Sequence, residues 1–462
     1  MQVRRFYTKG LSIYSYLIFD EKTGQGALID PTVDIQPYLL QALQDEVVIT
    51  DIVETHVHAD FISGSPYLKK ALGGLPRIHA SGMGGEEWTP RYADHVIQNF
   101  ERIAIGNIVL EAVHTPGHTP EHIVWVVYDG DRAADIPCVL FSGDLLFVGS
   151  IGRPDLLGQE SLDKLLRQLY ASVHILCNMP EFLQVFPSHG AASLCGKSIG
   201  VRETTTIGFE KKCNPWLNLG SFTSYLQWNE RLLEGMPKAP PYFKKMKEMN
   251  VVGFFPSDKQ QQVQLLTAQQ VIAMSHDACI VEIRAPTSFA KRHFKGSINI
   301  PPSPNFLTWA GSVLPYDVPL ILVSDVLQKQ DMGSIVKSLQ LIGLDNILGV
   351  CNANELGTLN EDSIDKSLEI DVEFFSKNMD RYYIVDVRGQ AEWDVDHIDG
   401  AHHVELTCLN ESLQQIPKGV PLAMICRSGA RAMLAASMLQ KADGYLPAVV
   451  VGGMLAYNSV VN

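Results

Sequence analysis

Val281-Glu282-Ile283-Arg284 and Val385-Asp386-Val387-Arg388 are one short segment written twice, and His293-Phe294-Lys295-Gly296 and His397-Ile398-Asp399-Gly400 repeat at the same offset of 104 residues. A fixed offset between several matching segments ties the back of the chain to two copies of one unit. Each copy runs through a strand, an Arg-bearing turn, a His-x-x-Gly, a second apolar strand (Pro319–Ser324 or Pro421–Ile425), a loop and a helix. Strands alternating with helices in this way predict parallel sheets with helices on their faces.

The front of the chain has no such repeat. Up to about Asn250 it alternates apolar runs that read as strands (Tyr16–Phe19, Gly26–Ile29, Val47–Val53, Ile123–Tyr128, Cys138–Phe141) with amphipathic stretches such as Ser161–Tyr170, the pattern of an α/β sandwich. Between Gly235 and Asp258 the chain turns rich in Pro, Lys and Met, which predicts an exposed exit segment and a domain boundary. With 462 residues, more than one hydrophobic core is needed. The expected division is 1–250, 258–355 and 365–462.

A formal charge of −14 repels polyanions, so neither nucleic acid nor an anionic membrane is an expected partner. The first twenty residues do not read as a secretory signal, and no run approaches the roughly 18 apolar residues of a membrane helix. Eight cysteines without paired spacing suggest a reducing, cytoplasmic compartment.

Polar clusters follow the apolar strands. Thr55-His56-Val57-His58-Ala59-Asp60-Phe61 comes after Val47–Val53, and Thr115-Pro116-Gly117-His118-Thr119 after Ile108–Val113. Ser142-Gly143-Asp144 caps Cys138–Phe141, Gly152-Arg153-Pro154-Asp155 lies just beyond, and Pro187-Ser188-His189-Gly190 follows Phe182–Phe186. Strand ends on one sheet edge bring such clusters together, and imidazole nitrogen with carboxylate oxygen binds divalent metals.

The order and context of these clusters resemble the metallo-β-lactamase fold, an αββα sandwich. Hydrolases of that fold usually carry a second histidine directly after the aspartate. Phe61 stands there in this chain, so one metal is expected. Within the fold the segment is similar to the persulfide dioxygenase group, which uses one non-haem iron(II). That resemblance implies a single Fe(2+) held by His56, His118 and Asp144, with His58, Asp60 and His189 as outer groups that orient ligands or substrate, or hold a second metal. Zn(2+) is the alternative ion.

In the second repeat, Pro421–Ile425 leads into Cys426-Arg427-Ser428-Gly429-Ala430-Arg431 and the helical run Ala432–Gln440. A thiol there meets backbone N–H groups, the positive end of a helix and two arginines, an environment that suits a reactive sulfur anion. The loop and the Asp386-Val387-Arg388 turn resemble a rhodanese domain. The related phosphatase loop carries one more residue between its Cys and Arg. The resemblance implies Cys426, Arg427 and Arg431 as catalytic residues and Ser428, Gly429 and Ala430 as the substrate-binding loop. In the first repeat the aligned strand runs into Asp325-Val326-Leu327-Gln328-Lys329-Gln330. A carboxylate cannot carry a persulfide, so an inactive rhodanese homology domain is expected. Cys195, six residues after His189, is a candidate auxiliary thiol, although a structural role is the more ordinary one for a lone cysteine.

The whole chain is thus similar to the multidomain persulfide dioxygenase-sulfurtransferases. The implied chemistry oxidises a low-molecular-weight thiol persulfide to sulfite with dioxygen, and makes or uses thiosulfate at Cys426. A homo-oligomer is the expected assembly. Two other readings stay open: a glyoxalase-II-like thioester hydrolase with two zinc ions, and a non-catalytic persulfide carrier or sulfide-stress sensor.

Overall fold

The computed structural model describes residues 1–256, 264–326, 329–442 and 444–461. The expected start of a domain at 258, Leu327 and Gln328 of the loop aligned with Cys426, and residue 462 lie outside the described residues. The chain forms two compact units, the first comprising Met1–Pro256 with Gln340–Gly343 and the second the remainder.

Two six-stranded sheets make up the first unit. One has the order Gln2–Thr8, Ile13–Phe19, Gln25–Ile29, Val48–Val53, Arg77–Ser81, His95–Ile97. The other runs Thr205–Thr206, Gln184–Pro187, Pro137–Gly143, Ile123–Asp129, Ile108–His114, Arg102–Ile105. Their facing sides interdigitate through Tyr16, Ile18, Ala27, Ile29 and Val53 from one and Leu110, Ala112, Trp125, Val127 and Phe141 from the other. The outer face of each sheet is covered by helices. Leu166, Leu169, Val173 and Leu176 of the helix Gln159–Cys177 pack on Val124, Val126 and Val185, while Tyr38, Ala42 and Leu68 cover Leu17, Leu28 and Ile52. This is the αββα sandwich expected from the sequence. Trp125 ties the layers together by donating from its indole N–H to the carbonyl of Glu54 at 3.1 Å.

One expectation is corrected. The Pro- and Lys-rich stretch after Gly235 is not simply an exposed exit: it contains the helix Tyr242–Val252, which buries Tyr242, Phe243, Met246, Asn250 and Val251. Pro241 stands at its N-cap, where a fixed φ and a missing N–H cost little, and Gly253 at φ +95° ends it. The spacing 242, 246, 250 is one helix face.

In the second unit the two repeats fold into two five-stranded sheets with every neighbouring pair parallel. The first is ordered Leu265–Leu266, Ile347–Asn352, Leu320–Ser324, Cys279–Glu282, Ile298–Asn299, and the second Leu368–Ile370, Leu446–Val450, Pro421–Ile425, Tyr383–Asp386, His402–His403. The strand order is the same in both. So is a buried ion pair at the end of the strand next to one edge, Cys279–Glu282 or Tyr383–Asp386: Arg284 Nε donates to Glu282 at 2.8 Å, and Arg388 Nη2 to Asp386 at 2.7 Å. The repeats also touch, because Asn299 N donates to Ser437 Oγ at 3.1 Å.

Candidate metal centre and Cys426 loop

The loop after Val48–Val53 is shaped by Asp30, which leaves the neighbouring strand at φ +47°. Its carboxylate accepts from Thr55 N at 2.7 Å, Thr55 Oγ1 at 2.8 Å and Ser188 Oγ at 3.0 Å. Because the Thr55 hydroxyl spends its hydrogen on Asp30, it can only accept from His56 Nδ1, 2.9 Å away. The His56 lone pair is thereby left on Nε2. His118 is fixed in the same sense: Nδ1 donates to the carbonyl of Arg153 at 2.9 Å. Asp144 gives Oδ1 to His189 Nδ1 at 2.6 Å, and its backbone N–H donates to His122 Nε2 at 3.0 Å.

What remains is one nitrogen of His56, one of His118 and Asp144 Oδ2. All three atoms are buried and have no hydrogen-bond partner. Oδ2 lies 3.8 Å from His56 Nε2 and 3.3 Å from His118 Nε2, and the set falls within 4.8 Å. Two lone pairs and a carboxylate oxygen converging on one point fit a divalent cation. Burial and the neighbouring histidines push the His56 pKa well down, and burial lowers that of His118, which keeps both rings neutral as ligands must be. For Asp144, burial alone would raise the carboxyl pKa, but His189 and His118 outweigh it and hold it below the usual carboxylate range.

The other histidines and acids of the motif are turned elsewhere. His58 Nε2 faces Asp30 at 3.3 Å and Glu54 at 3.5 Å, and these carboxylates outweigh burial to raise its pKa well above the ordinary value. The Phe61 ring packs 4.3 Å from the His58 ring. His189 bridges Asp144 and Asp60, with Nε2 2.8 Å from Asp60 Oδ2, and despite burial the two carboxylates hold it at about 10. Cys195 is buried beside Asp60 and His189, and burial together with Asp60 and Asp144 pushes its thiol well up. Arg153, fully buried, clamps Asp155 at 2.7 Å and donates to the carbonyls of Leu194 and Pro237.

Sequence reasoning passed over several groups that shape this centre. Asp30 is an acid directly after an apolar strand, the same signal that marked Asp144. His122 lies four residues after His118 and accepts the Asp144 N–H. Asn250, on the helix that replaces the expected exit segment, donates from Nδ2 to the carbonyls of His58 and Phe61 at 2.7 Å each and accepts from Ser63 N at 2.8 Å. Asn250→Ala strands these three buried groups, so unfolding stability is expected to fall by at least about 2 kcal/mol. Chemical denaturation checks this.

In the second unit, Cys426 is buried at the end of Pro421–Ile425. Its Sγ accepts from Gly429 N at 3.1 Å and Ala432 N at 3.4 Å, at the start of the helix Ala430–Lys441. Arg431 is held bidentately by Glu392 at 2.5 and 2.8 Å, whereas Arg427 and Ser428 are exposed. Met454 N and Leu455 N donate to the carbonyls of Cys426 and Arg427 at 2.8 and 3.1 Å. Gly453, at φ +58°, permits that approach, since a Cβ there would fall 2.2 Å from the Cys426 carbonyl oxygen. In the first repeat Asp325 occupies the aligned place, half-exposed and 3.8 Å from Arg284 Nη1.

The metallo-beta-lactamase superfamily model matches residues 8–189. A probable metallo-hydrolase of Burkholderia pseudomallei is 30% identical over 217 residues, spanning 41% of this chain and 72% of that protein. The chain belongs to the metallo-β-lactamase superfamily. A second model, the rhodanese-like domain, matches residues 371–459, so a metallo-β-lactamase domain is joined to a C-terminal rhodanese-like domain. The human mitochondrial persulfide dioxygenase is 28% identical over 219 residues, 47% of this chain and 76% of its own length. A metallo-beta-lactamase of Staphylococcus aureus, solved at 2.1 Å, superposes with a TM-score of 0.67 at 34% identity over 76% of this chain and 98% of its own. Both matched domains are of enzyme families. No helix among the described residues is long and apolar enough to cross a membrane.

Proposed function

We propose that the protein is a persulfide dioxygenase and sulfurtransferase of three domains, 1–250, 258–355 and 365–462. It converts a low-molecular-weight thiol persulfide, dioxygen and water into the thiol, sulfite and two protons, and Cys426 carries sulfane sulfur for thiosulfate formation or use. The observation that carries this reading is the division of labour among the histidines. Among the described residues, His56, His118 and Asp144 each turn an unpartnered buried atom to a common point, whereas both nitrogens of His189 are hydrogen-bonded to carboxylates and His58 faces Asp30 and Glu54 at 3.3 and 3.5 Å. Such a two-histidine, one-carboxylate set suits one iron(II) rather than two zinc ions.

Iron(II) bound there supplies the electron chemistry that lets dioxygen react with a sulfur anion. The chain's own groups do the rest. Thr55 and Arg153 fix the tautomers of His56 and His118, and His122 anchors the Asp144 backbone. The His189 cation, between Asp144 and Asp60, offsets the carboxylate charge of the buried site and keeps Asp144 Oδ2 turned inwards. In the rhodanese-like domain the Gly429 and Ala432 N–H groups stabilise negative charge on sulfur, and exposed Arg427 meets an incoming anion. Sulfite takes the outer sulfur of Cys426–S–SH, which forms the S–S bond of thiosulfate and returns the Cys426 thiol. The first repeat, with Asp325 in place of the cysteine, serves as a non-transferring spacer or docking surface.

The test is metal analysis of anaerobically purified protein with dioxygen uptake on several persulfides. Two zinc ions per chain with thioester cleavage would assign it to the hydrolases, as the name of the Burkholderia relative suggests, and iron without dioxygen uptake would leave a carrier. Product analysis tests the coupling. Given persulfide alone, the wild type is expected to accumulate thiosulfate. Cys426→Ser should still consume dioxygen but release mainly sulfite. An unchanged sulfite-to-thiosulfate ratio, above a boiled control, means that the two sites work independently.

A further inference from the structure

On the first sheet of the metallo-β-lactamase unit, the strands Val48–Val53, Arg77–Ser81 and His95–Ile97 run parallel, and the register sets His79 beside His95. His79 Nε2 lies 2.7 Å from Asp51 Oδ1, and His95 Nε2 lies 2.8 Å from Glu101 Oε1. The two Nδ1 atoms face each other at 3.1 Å.

Charge and tautomer decide what this pair can hold. A carboxylate oxygen only accepts, so His79 Nε2, hydrogen-bonded to Asp51, must carry a hydrogen, and the lone pair of that ring sits on Nδ1. When Glu101 holds a hydrogen on His95 Nε2 in the same way, both lone pairs of the neutral rings sit on Nδ1 and face each other. That arrangement requires a cation between them, either a proton that turns one ring into an imidazolium or a metal ion that both rings bind. The separation fits the second. With metal–nitrogen bonds of about 2.0–2.1 Å, two nitrogens on one ion stand roughly 2.8–3.0 Å apart at a right angle and about 3.3–3.4 Å apart at the tetrahedral angle, and the pair falls between the two. A carboxylate on the outer nitrogen of each ring is also the usual support of a metal-binding histidine, because it fixes the tautomer and raises ligand basicity. His79 is buried, while His95 is about a quarter exposed, so water can complete the coordination.

We propose that His79 and His95 bind one divalent transition-metal ion of the zinc, nickel or copper group, outside the His56–His118–Asp144 centre, and clamp the edge strand His95–Ile97 to the sheet. The inference does not depend on the dioxygenase reading. Tag-free full-length protein, with the ion of its main centre in place, is dialysed against Zn(2+) or Cu(2+) and its metal content counted. The wild type should hold one ion per chain more than His95→Gln, and Asp144→Ala should keep that extra ion. Bound Cu(2+) should show electron paramagnetic splitting from two histidine nitrogens in the wild type. Zn(2+) at a hundredfold excess over its Kd should raise the thermal midpoint by roughly 5 °C in the wild type and leave His95→Gln unmoved. Glu101→Gln, which leaves both rings in place, should weaken the extra ion about 10–100-fold. Equal ion counts in wild type and His95→Gln, or a copper signal without two-nitrogen coupling, would mean that the pair holds a proton and the site does not exist.

Discussion

Asp144→Ala is expected to abolish dioxygen uptake with persulfide and to leave the protein without its main metal. Asp144 supplies the one unpartnered oxygen of the buried set, and two neutral imidazoles alone give a divalent ion no charge compensation. The loss in metal affinity should exceed the 10–100-fold that a change in an outer partner costs. It should also free His189, whose Nδ1 would lose its acceptor. Elemental analysis and an oxygen electrode read both effects, and an Asp144→Ala protein that keeps its metal would move the centre to Asp60, His189 and Cys195, which also lie within reach of one another.

Cys426→Ser is expected to lower thiosulfate-to-thiol sulfur transfer by on the order of 10³-fold or more, since a hydroxyl cannot hold the sulfane sulfur. Asp325→Ala in the first repeat should leave transfer unchanged, because that side chain sits where no sulfur can be carried. The pair of measurements separates the repeats within one protein. Transfer persisting in Cys426→Ser at the wild-type rate would point to Cys195, against the burial and flanking carboxylates that push its thiol up.

The sequence made the architecture legible wherever a chemical signal coincided with periodicity. Acids and histidines placed directly after apolar strands marked the ends of one sheet edge, and the 104-residue offset implied two like sheets before any strand order was known. The helix Tyr242–Val252 was lost to composition: prolines and lysines read as linker, although Tyr242, Met246 and Asn250 keep helical spacing. The contribution of Asn250 to the metal loop could not be read at all, since it depends on a contact across 187 residues to Ser63. The orientation of His58 was equally hidden. In the linear motif His56 and His58 look equivalent, and only Asp30, brought in from the neighbouring strand, turns one ring towards the metal point and the other away.

The glycine at 453 has a consequence for how the protein is born. The carbonyls of Cys426 and Arg427 are held by N–H groups some 28 residues further on, so the Cys426 loop cannot take its shape until residues 453–455 have left the ribosome. Every group shown around the metal point, by contrast, has been synthesised by Asn250. Domains generally fold as units, the N-terminal one first during synthesis. The metallo-β-lactamase domain can therefore close around its candidate ligands while the rhodanese-like domain is still an unfinished chain.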